Sequence, residues 1–566
     1  MTDFVGCRGT DSTPIQSRSG ANVPVQVPFT ANNAVSILFI LAALVAFPLW
    51  SKNSYDKLAQ DKLDFFIPIV ISFLVLSAVV LLVRVMIHPS KTLHRPEAFT
   101  GSDAMMLLFF IAVVVSWKCS KWPEEAYWGS DYRHHGVVIV AMYILVYFLI
   151  SRFARRINWV PAVFLLGGGF LLWVGFQNFL GNDPLKFASH SSVKAFQTGI
   201  ATLGNRNFFM SYVCMYLALS SIMFLKSKKI VWTLFYGTGV FVGFCALIYG
   251  RSDSGFFGLA VLLLVLPFFI SNWKQFAHFA FIPGLLFLAG KALLLAVSSN
   301  GGKTKFSLGG FSEILMSGIS GWIFLIVCAG IAVFFLILHK AKPDASFPRA
   351  PKVIWGIVLA ASAFVVIMTV IYFSTINTTA NLGKLEKYLR FNDSWGSTRG
   401  FAWIRAIREY ADYDALQKLF GTGIDTAKHL FLPKYYQAMI KLSGLTFENV
   451  HNEYLQYLVT IGLVGMVGYI GLIASVVTRA FRRANKSKVC LALGMAVLCY
   501  AAQGVFNITQ TMTTPIFFTL LALAEACSRE VDANLRLARR ARPAKPSVPP
   551  VSVEIDCGAT DIMNLN

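Results

Sequence analysis

The chain has 566 residues, of which 56% are hydrophobic and 14% charged, with a mean hydropathy of +0.61. Soluble domains are roughly 45–50% apolar and about 25% charged, so these values exclude an ordinary cytosolic enzyme and equally a disordered or collagen-like chain. The 50 Lys+Arg against 28 Asp+Glu leave a formal charge of +22, which points either to nucleic acid or to the anchoring charges of a membrane protein.

Residues 1–33 are polar, rich in Ser, Thr, Pro and Gly, and lack a signal-peptide pattern; they read as a retained cytoplasmic leader. Apolar segments long enough to span a bilayer follow near 34–50, 65–87, 103–117, 136–151, 159–177, 207–225, 230–248, 253–271, 275–296, 314–338, 353–375, 453–478, 489–507 and 511–527. The pattern predicts an all-α polytopic membrane protein of about 12–14 transmembrane helices. Helices 1–11 fall within 34–375 and helices 12–14 within 453–527. Between them lies one large periplasmic loop, 376–452, carrying amphipathic helices, and a basic cytoplasmic tail occupies 528–566.

Orientation follows from charge. The densest short basic loops are Arg152 to Arg156, Lys226 to Lys229, Lys340 to Lys352 and Arg479 to Lys488. Even numbers of helices separate them, so all four share one side. By the positive-inside rule that side is the cytoplasm, and both termini join it. In a bacterial inner membrane the loops at 178–206, 249–252, 297–313 and 376–452 then face the periplasm. The basic excess is accounted for by topology, and the tail reads as a membrane-proximal anchor rather than an RNA-binding element. None of the nine cysteines has CxxC spacing, and the loop 376–452 has none at all.

Three segments carry candidate chemistry. His451 opens Val450-His451-Asn452-Glu453-Tyr454-Leu455, where the long loop enters a helix. His451, Tyr454, Leu455 and Leu458 follow one helical face, and Gly462 and Gly465 continue it with small residues that permit close helix approach. A histidine at the membrane surface can act as a general base near neutral pH; the alternative is an interfacial or capping residue. The second segment is Ser397 to Arg408. Ser397 or Thr398 is expected to cap a helix, with Phe401, Ile404 and Ile407 resting on the bilayer, Arg405 and Arg408 more exposed, and Trp403 at the interface. Arg399 stands apart because a guanidinium grips phosphate bidentately. The following Gly421-Thr422-Gly423 marks a turn. The third segment is Arg251 in the short loop Tyr249 to Gly255, with Asp253 as a neighbouring partner. Gly204-Asn205-Arg206-Asn207 adds a fourth candidate, which a helix cap would also explain. His451, Arg399, Arg251 and Asn207 are all expected at the periplasmic face, where two arginines and a histidine suit a lipid-linked diphosphate. His134, His135, His190 and His429 lack metal-ligand spacing and are expected to be solvated.

With these residues in place, the sequence resembles the O-antigen ligase/polymerase superfamily of bacterial inner-membrane glycan transferases. The resemblance rests on the His-Asn-x-x-Leu-x(6)-Gly-x-x-Gly pattern at 451–465 after a long polar loop. Arg399 and Trp403, the Gly-x-Gly at 421–423, the Gly-Asn-x-Asn at 204–207 and Arg251 at a helix mouth add to it. The chain departs at Thr460, Arg206 and Gly250, where the family often has an acid, a proline and a serine. The resemblance implies transfer of a glycan from undecaprenyl diphosphate to an acceptor hydroxyl, without nucleotide, metal or other cofactor. His451 would be the base and Arg251 and Arg399 the diphosphate-binding pair, with Asn452, Tyr454, Trp403 and Asn207 in support. The acceptor would be lipid A–core in a ligase, another lipid-linked glycan in a polymerase, or a protein hydroxyl in an O-oligosaccharyltransferase. Membrane lipids are the other expected partners, and nucleic acid is not one. A lipid-linked glycan flippase is the competing class; it predicts ionisable residues inside the bundle, where Lys291 and Glu525 are the isolated exceptions.

Overall fold

A computed structural model describes residues 30–52, 55–87, 98–186, 199–299 and 319–540. The expected leader (1–33, apart from its last four residues), residues 541–566 of the tail, residues 314–318 of the tenth apolar segment, and His190 lie outside these. The chain divides into two compact units. One is Phe29–Val531; the other comprises Met1–Pro28 and Asp532–Asn566, of which only 532–540, the end of the last helix, is described.

The described residues are helical, with no β-strand beyond one isolated bridge between Asn272 and Ser346. In chain order the helices are α1 (Ala31–Leu49), α2 (Leu58–Ile87), α3 (Gly101–Lys118), the short α4 (Pro123–Trp128), α5 (Val137–Phe153), α6 (Ile157–Phe179), α7 (Arg206–Leu225), α8 (Ile230–Tyr249), α9 (Asp253–Phe269), α10 (Trp273–Ser299), α11 (Ile319–Ala341) and α12 (Ala350–Ile376). The polar segment then contributes α13 (Trp395–Ala411), α14 (Ala415–Phe420) and α15 (Lys428–Ser443). The chain returns to apolar helices with α16 (Glu453–Arg482), α17 (Lys488–Phe506) and α18 (Thr514–Arg540). Among the described residues eleven helices are long and apolar enough to cross a membrane. This is a multi-pass membrane protein.

Burial sorts the helices. The apolar window of α7 is 94% buried and that of α12 is 0% buried, so α7 is central and α12 presents its apolar surface outward, as lipid contact demands. Small residues set the closest approaches. A Cβ at Gly468 of α16 would press on the backbone of Phe109 in α3, and one at Gly258 of α9 would overlap the Cys214 sulfur of α7. Lys291 lies over the rings of Phe287 and Trp322, a cation–π setting that suits a lone ammonium in an apolar helix.

Glu525 is not isolated. It pairs with Arg479 at 3.0 Å and Arg529 at 2.9 Å, while Asp103 pairs with Arg152 at 3.0 Å and Arg529 at 2.6 Å. Two buried carboxylates and three guanidiniums from α3, α5, α16 and α18 thus form one ion-pair network, where removing an arginine partner would leave a buried carboxylate less compensated. Cys490 and Cys527 join α17 to α18 as a disulfide.

The polar segment has its own small core of Phe401, Ala406, Tyr413, Phe431, Met439 and Phe447. Phe401 is therefore inside that core rather than on the bilayer, because α13 packs its apolar face against α15. Arg405 pairs with Asp393.

Candidate active site

The C-terminal end of α17 and the turn after it form the hub of the site. The run Gln503 to Thr514 is polar in sequence yet buried: Gln503, Asn507, Thr509, Gln510 and Thr513 are all at or below 4% exposure. Buried polar groups must find partners, and those of Gln503 and Asn507 lie on α7 and α9. The Asn207 amide oxygen accepts from Ser252 Oγ at 2.6 Å and Ser254 Oγ at 3.2 Å. Its backbone carbonyl accepts from Gln503 Nε2 at 3.1 Å. Gln503 in turn accepts from Ser211 and donates to Ser254. Asn205 supplies the helix cap, accepting from the Asn207 N–H at 2.8 Å. Asn207 thus ties the Arg251 turn to the hub.

The His451 motif is fixed to the same hub. Asn452 is the N-cap of α16, its Oδ1 accepting from the N–H groups of Tyr454 and Leu455, each at 3.0 Å; this satisfies two of the helix's orphan donors. Tyr454 Oη donates to the Ala501 carbonyl at 2.5 Å. The buried Glu453 carboxyl accepts from Tyr469 Oη at 2.7 Å and packs against Gly504, where a Cβ would overlap it. His451 itself has φ +52°, a left-handed conformation uncommon for a side-chain-bearing residue. Its N–H donates to Asn449 Oδ1 at 3.0 Å, and its ring meets Phe447 edge-on at 6.0 Å. Among the described residues no hydrogen bond engages its ring nitrogens. Burial, then the Arg399 and Arg133 guanidiniums, push its pKa down from 6.5 to about 4, so the imidazole is neutral at physiological pH.

Arg399 follows three left-handed residues, Gly396, Ser397 and Thr398. The expected cap at Ser397 or Thr398 is not formed, because their backbone is turned away from the helix; regular α13 begins only at Arg399. Arg399 Nη1 donates to the Gly396 carbonyl at 2.8 Å, and its guanidinium lies 6.0 Å from the Phe506 ring centroid. Burial lowers its pKa, with Asp253 acting against that shift. Trp403 stacks on Phe506 at 6.0 Å, and Trp395 and Phe257 complete an aromatic group around the same ring. Arg399 Nε and Trp403 Nε1 are buried with no partner, two donors available to a ligand in a water-poor setting.

The Gly-x-Gly turn is a joint, not a phosphate cradle. The N–H groups of Thr422 and Gly423 both donate to the Thr460 carbonyl, at 3.1 and 3.0 Å, so neither is free to bind an anion. That carbonyl is available because α16 breaks at Gly462 (φ +71°, ψ −174°). Gly421 and Gly462 each lie against the other segment's backbone so closely that a Cβ would overlap it. Gly462 therefore serves this break rather than smooth helix approach, which Gly468 provides.

A second arginine stands behind His451. Arg133, between α4 and α5, is 5% exposed. Its Nε donates to Asp425 Oδ1 at 2.7 Å, while its Nη2 is buried without a partner. Asp425 also accepts from the Ser130 N–H at 2.7 Å and Ser130 Oγ at 2.9 Å, and despite its burial these partners hold its carboxyl below the usual range. His135 is buried rather than solvated: its N–H reaches Asp425, and Nδ1 lies 3.4 Å from Thr509 Oγ1. His429 stacks on Trp122 and lies 2.6 Å from Glu125. Among the described residues no group of three His, Cys, Asp or Glu is arranged to hold a metal ion.

The structure thus gathers His451, Asn452, Tyr454, Arg399, Trp403 and Asn207 around residues 501–507. Arg251 is exposed at the rim with φ +51°, one residue from the Asn207 partner Ser252. Arg133, Asp425, Gln503, Phe506 and Asn507 are additions that motif reading missed. The polar run 503–514 in an apolar region was a usable signal; Arg133 had none, since its role depends on a contact 292 residues away.

The class is set by these features: a polytopic all-α membrane protein in which a polar helical segment is bonded back onto the bundle around a histidine, the half-buried Arg399 and the buried Arg133. Residues 306–470 match the family model described as O-antigen ligase, a region that includes Arg399 and His451 but not Asn207, Arg251 or Arg133. Over that region the chain is similar to O-antigen ligases. No curated protein matches the chain.

Proposed function

We propose that the protein transfers a glycan from undecaprenyl diphosphate to an acceptor hydroxyl at the periplasmic face of the bacterial inner membrane, in O-antigen ligation to lipid A–core. The observation that carries this reading is the His451 imidazole, kept neutral by burial and by the half-buried Arg399 and buried Arg133 guanidiniums. A neutral imidazole can accept the acceptor's hydroxyl proton. The acceptor oxygen then bonds to the anomeric carbon as the bond from that carbon to the diphosphate oxygen breaks, and the diphosphate leaves with the electron pair. Arg399 and Arg251 bind that diphosphate and stabilise its developing charge, with Arg133 adding positive potential from behind. The products are the new glycoside, undecaprenyl diphosphate and the proton held on His451.

The electrostatics support an order of events. Arg399 and Arg133 depress the His451 pKa; a bound diphosphate offsets their charge, so the imidazole becomes a stronger base when the donor is in place. Asn452 and Tyr454 hold the histidine's turn, and Trp403 offers an N–H and an aromatic surface. Diphosphate is a good leaving group, so neither a metal nor a nucleotide is required, and transfer should persist in EDTA.

The test is reconstitution of the purified protein with an undecaprenyl-diphosphate glycan and lipid A–core, alongside gene deletion. Loss of long-chain lipopolysaccharide on deletion, with transfer to lipid A–core in vitro, supports ligation. Loss of free polysaccharide or of a glycoprotein instead reassigns the acceptor, and absence of any transfer overturns the reading.

A further inference from the structure

At the end of α8 opposite Arg251, two lysines line a cavity whose other lining is mainly apolar, with Thr233, Thr238 and His278 the remaining polar residues. It measures about 660 Å³ and lies between α7, α8, α10 and α11, with Lys228 and Lys274 at one end and Leu234, Phe241, Leu285 and Leu336 along its length. Lys274 Nζ donates to the Lys228 carbonyl at 2.8 Å, which holds both residues at this mouth. Among the described residues neither ammonium pairs with a carboxylate, and Lys488 adds a third positive charge near Lys228. Helix α8 starts here at Ile230 with no side-chain cap, so its unpaired N–H groups and the positive end of its dipole face the same place. Like charges gathered beside apolar surface call for a counter-ion, and a helix N-terminus with lysines favours phosphate. The apolar length of the cavity calls for a hydrocarbon chain on that same ligand.

We propose that this cavity binds an anionic phospholipid, with the phosphate on Lys228, Lys274 and the start of α8, and one acyl chain along the apolar wall. The site is separate from the proposed transfer site. The 20 residues of α8 span about 30 Å at 1.5 Å per residue, which is roughly the bilayer's hydrocarbon thickness. The ligand therefore belongs to the leaflet opposite the Arg251 turn, and the assignment does not depend on the transfer chemistry.

Delipidated full-length protein in micelles, titrated with phosphatidylglycerol or phosphatidylcholine and read by native mass spectrometry, tests this. Phosphatidylglycerol should be retained preferentially. Each lysine near an anionic headgroup contributes roughly fivefold in binding, so Lys228→Ala/Lys274→Ala should lower retention more than about tenfold. Thr238→Trp, which fills the cavity and keeps both lysines, should lower it as well. Should the double variant fold poorly, Lys228→Gln alone should still weaken retention by roughly fivefold. Equal retention of both lipids by the wild type, or wild-type retention by the lysine variants, overturns the proposal. So does tighter binding of undecaprenyl phosphate than of phosphatidylglycerol at this site.

Discussion

The Tyr454 hydroxyl donates to the carbonyl oxygen of Ala501 at 2.5 Å, joining the turn that carries His451 to the end of α17. Because Asn207 reaches Gln503 on the same helix, the His451 turn and the Arg251 turn share one support. A general base and an anion-binding group placed by separate helices act together only if such a support fixes their separation.

His451→Ala should reduce transfer by about 10²–10⁴-fold, the usual contribution of a general base, with the protein still inserted and its melting temperature little changed. The measurement is glycan transfer by membranes normalised to protein level. Near-normal transfer would remove His451 from the chemistry.

The pH profile should separate free and donor-bound enzyme. His451 is needed neutral, and in the free protein its pKa is held near 4 rather than 6.5. As pH falls, kcat/KM should therefore stay level through 6.5 and drop only towards about 4. With donor bound, the arginine charges are offset, so kcat should begin to fall at a higher pH. Coincident falls of the two near 6.5 would contradict the electrostatic account.

Arg399→Lys keeps the charge and removes the planar fork. If Arg399 grips diphosphate through two N–H groups, transfer should drop about tenfold or more, and Arg399→Ala should lose further activity. Full activity of the lysine variant would mean that a point charge suffices.

Asp425→Asn strands the buried Arg133 guanidinium and should destabilise the protein by about 3–5 kcal/mol, measured as a lowered thermal midpoint. Arg133→Met/Asp425→Leu removes both charges and should regain much of that stability. Because the proposed site uses Arg133, transfer should stay low in the double variant. Restored transfer with restored stability would confine the pair to a structural role.

Gly462→Ala should be costly although the side chain gained is one methyl. The residue sits at φ +71° and ψ −174°, a region open essentially to glycine, with strain of about 1–3 kcal/mol for other residues. The new Cβ would also overlap the Leu419 backbone. Stability and transfer should fall together, while Gly330→Ala in α11, where an added Cβ meets nothing within 4 Å, gives a control for helix propensity.

The candidate residues His451, Arg399 and Asn207 stand at the edges of apolar runs, where polarity changes abruptly, and that made them legible. The roles of neighbouring residues were less legible. Ser397 and Thr398 look like helix caps, but their left-handed backbone serves a turn that presents Arg399. Gly421 and Gly423 read as a turn, and only the structure shows that their segment's N–H groups are spent on Thr460. Phe401 looks lipid-facing, but α15 covers it.

The sequence by itself determined a multi-pass helical membrane protein, because apolar length and charge scarcity are properties of consecutive residues. It also marked the histidine, since a helix entry is a local event. Only the tertiary structure decided which charges meet. Arg133 reaches Asp425, and Glu525 reaches Arg479 and Arg529, through contacts between helices distant in sequence or across a helix face. Burial and pairing are set by three-dimensional neighbours, and it is burial, then the Arg399 and Arg133 guanidiniums, that lowers the His451 pKa and keeps its imidazole neutral.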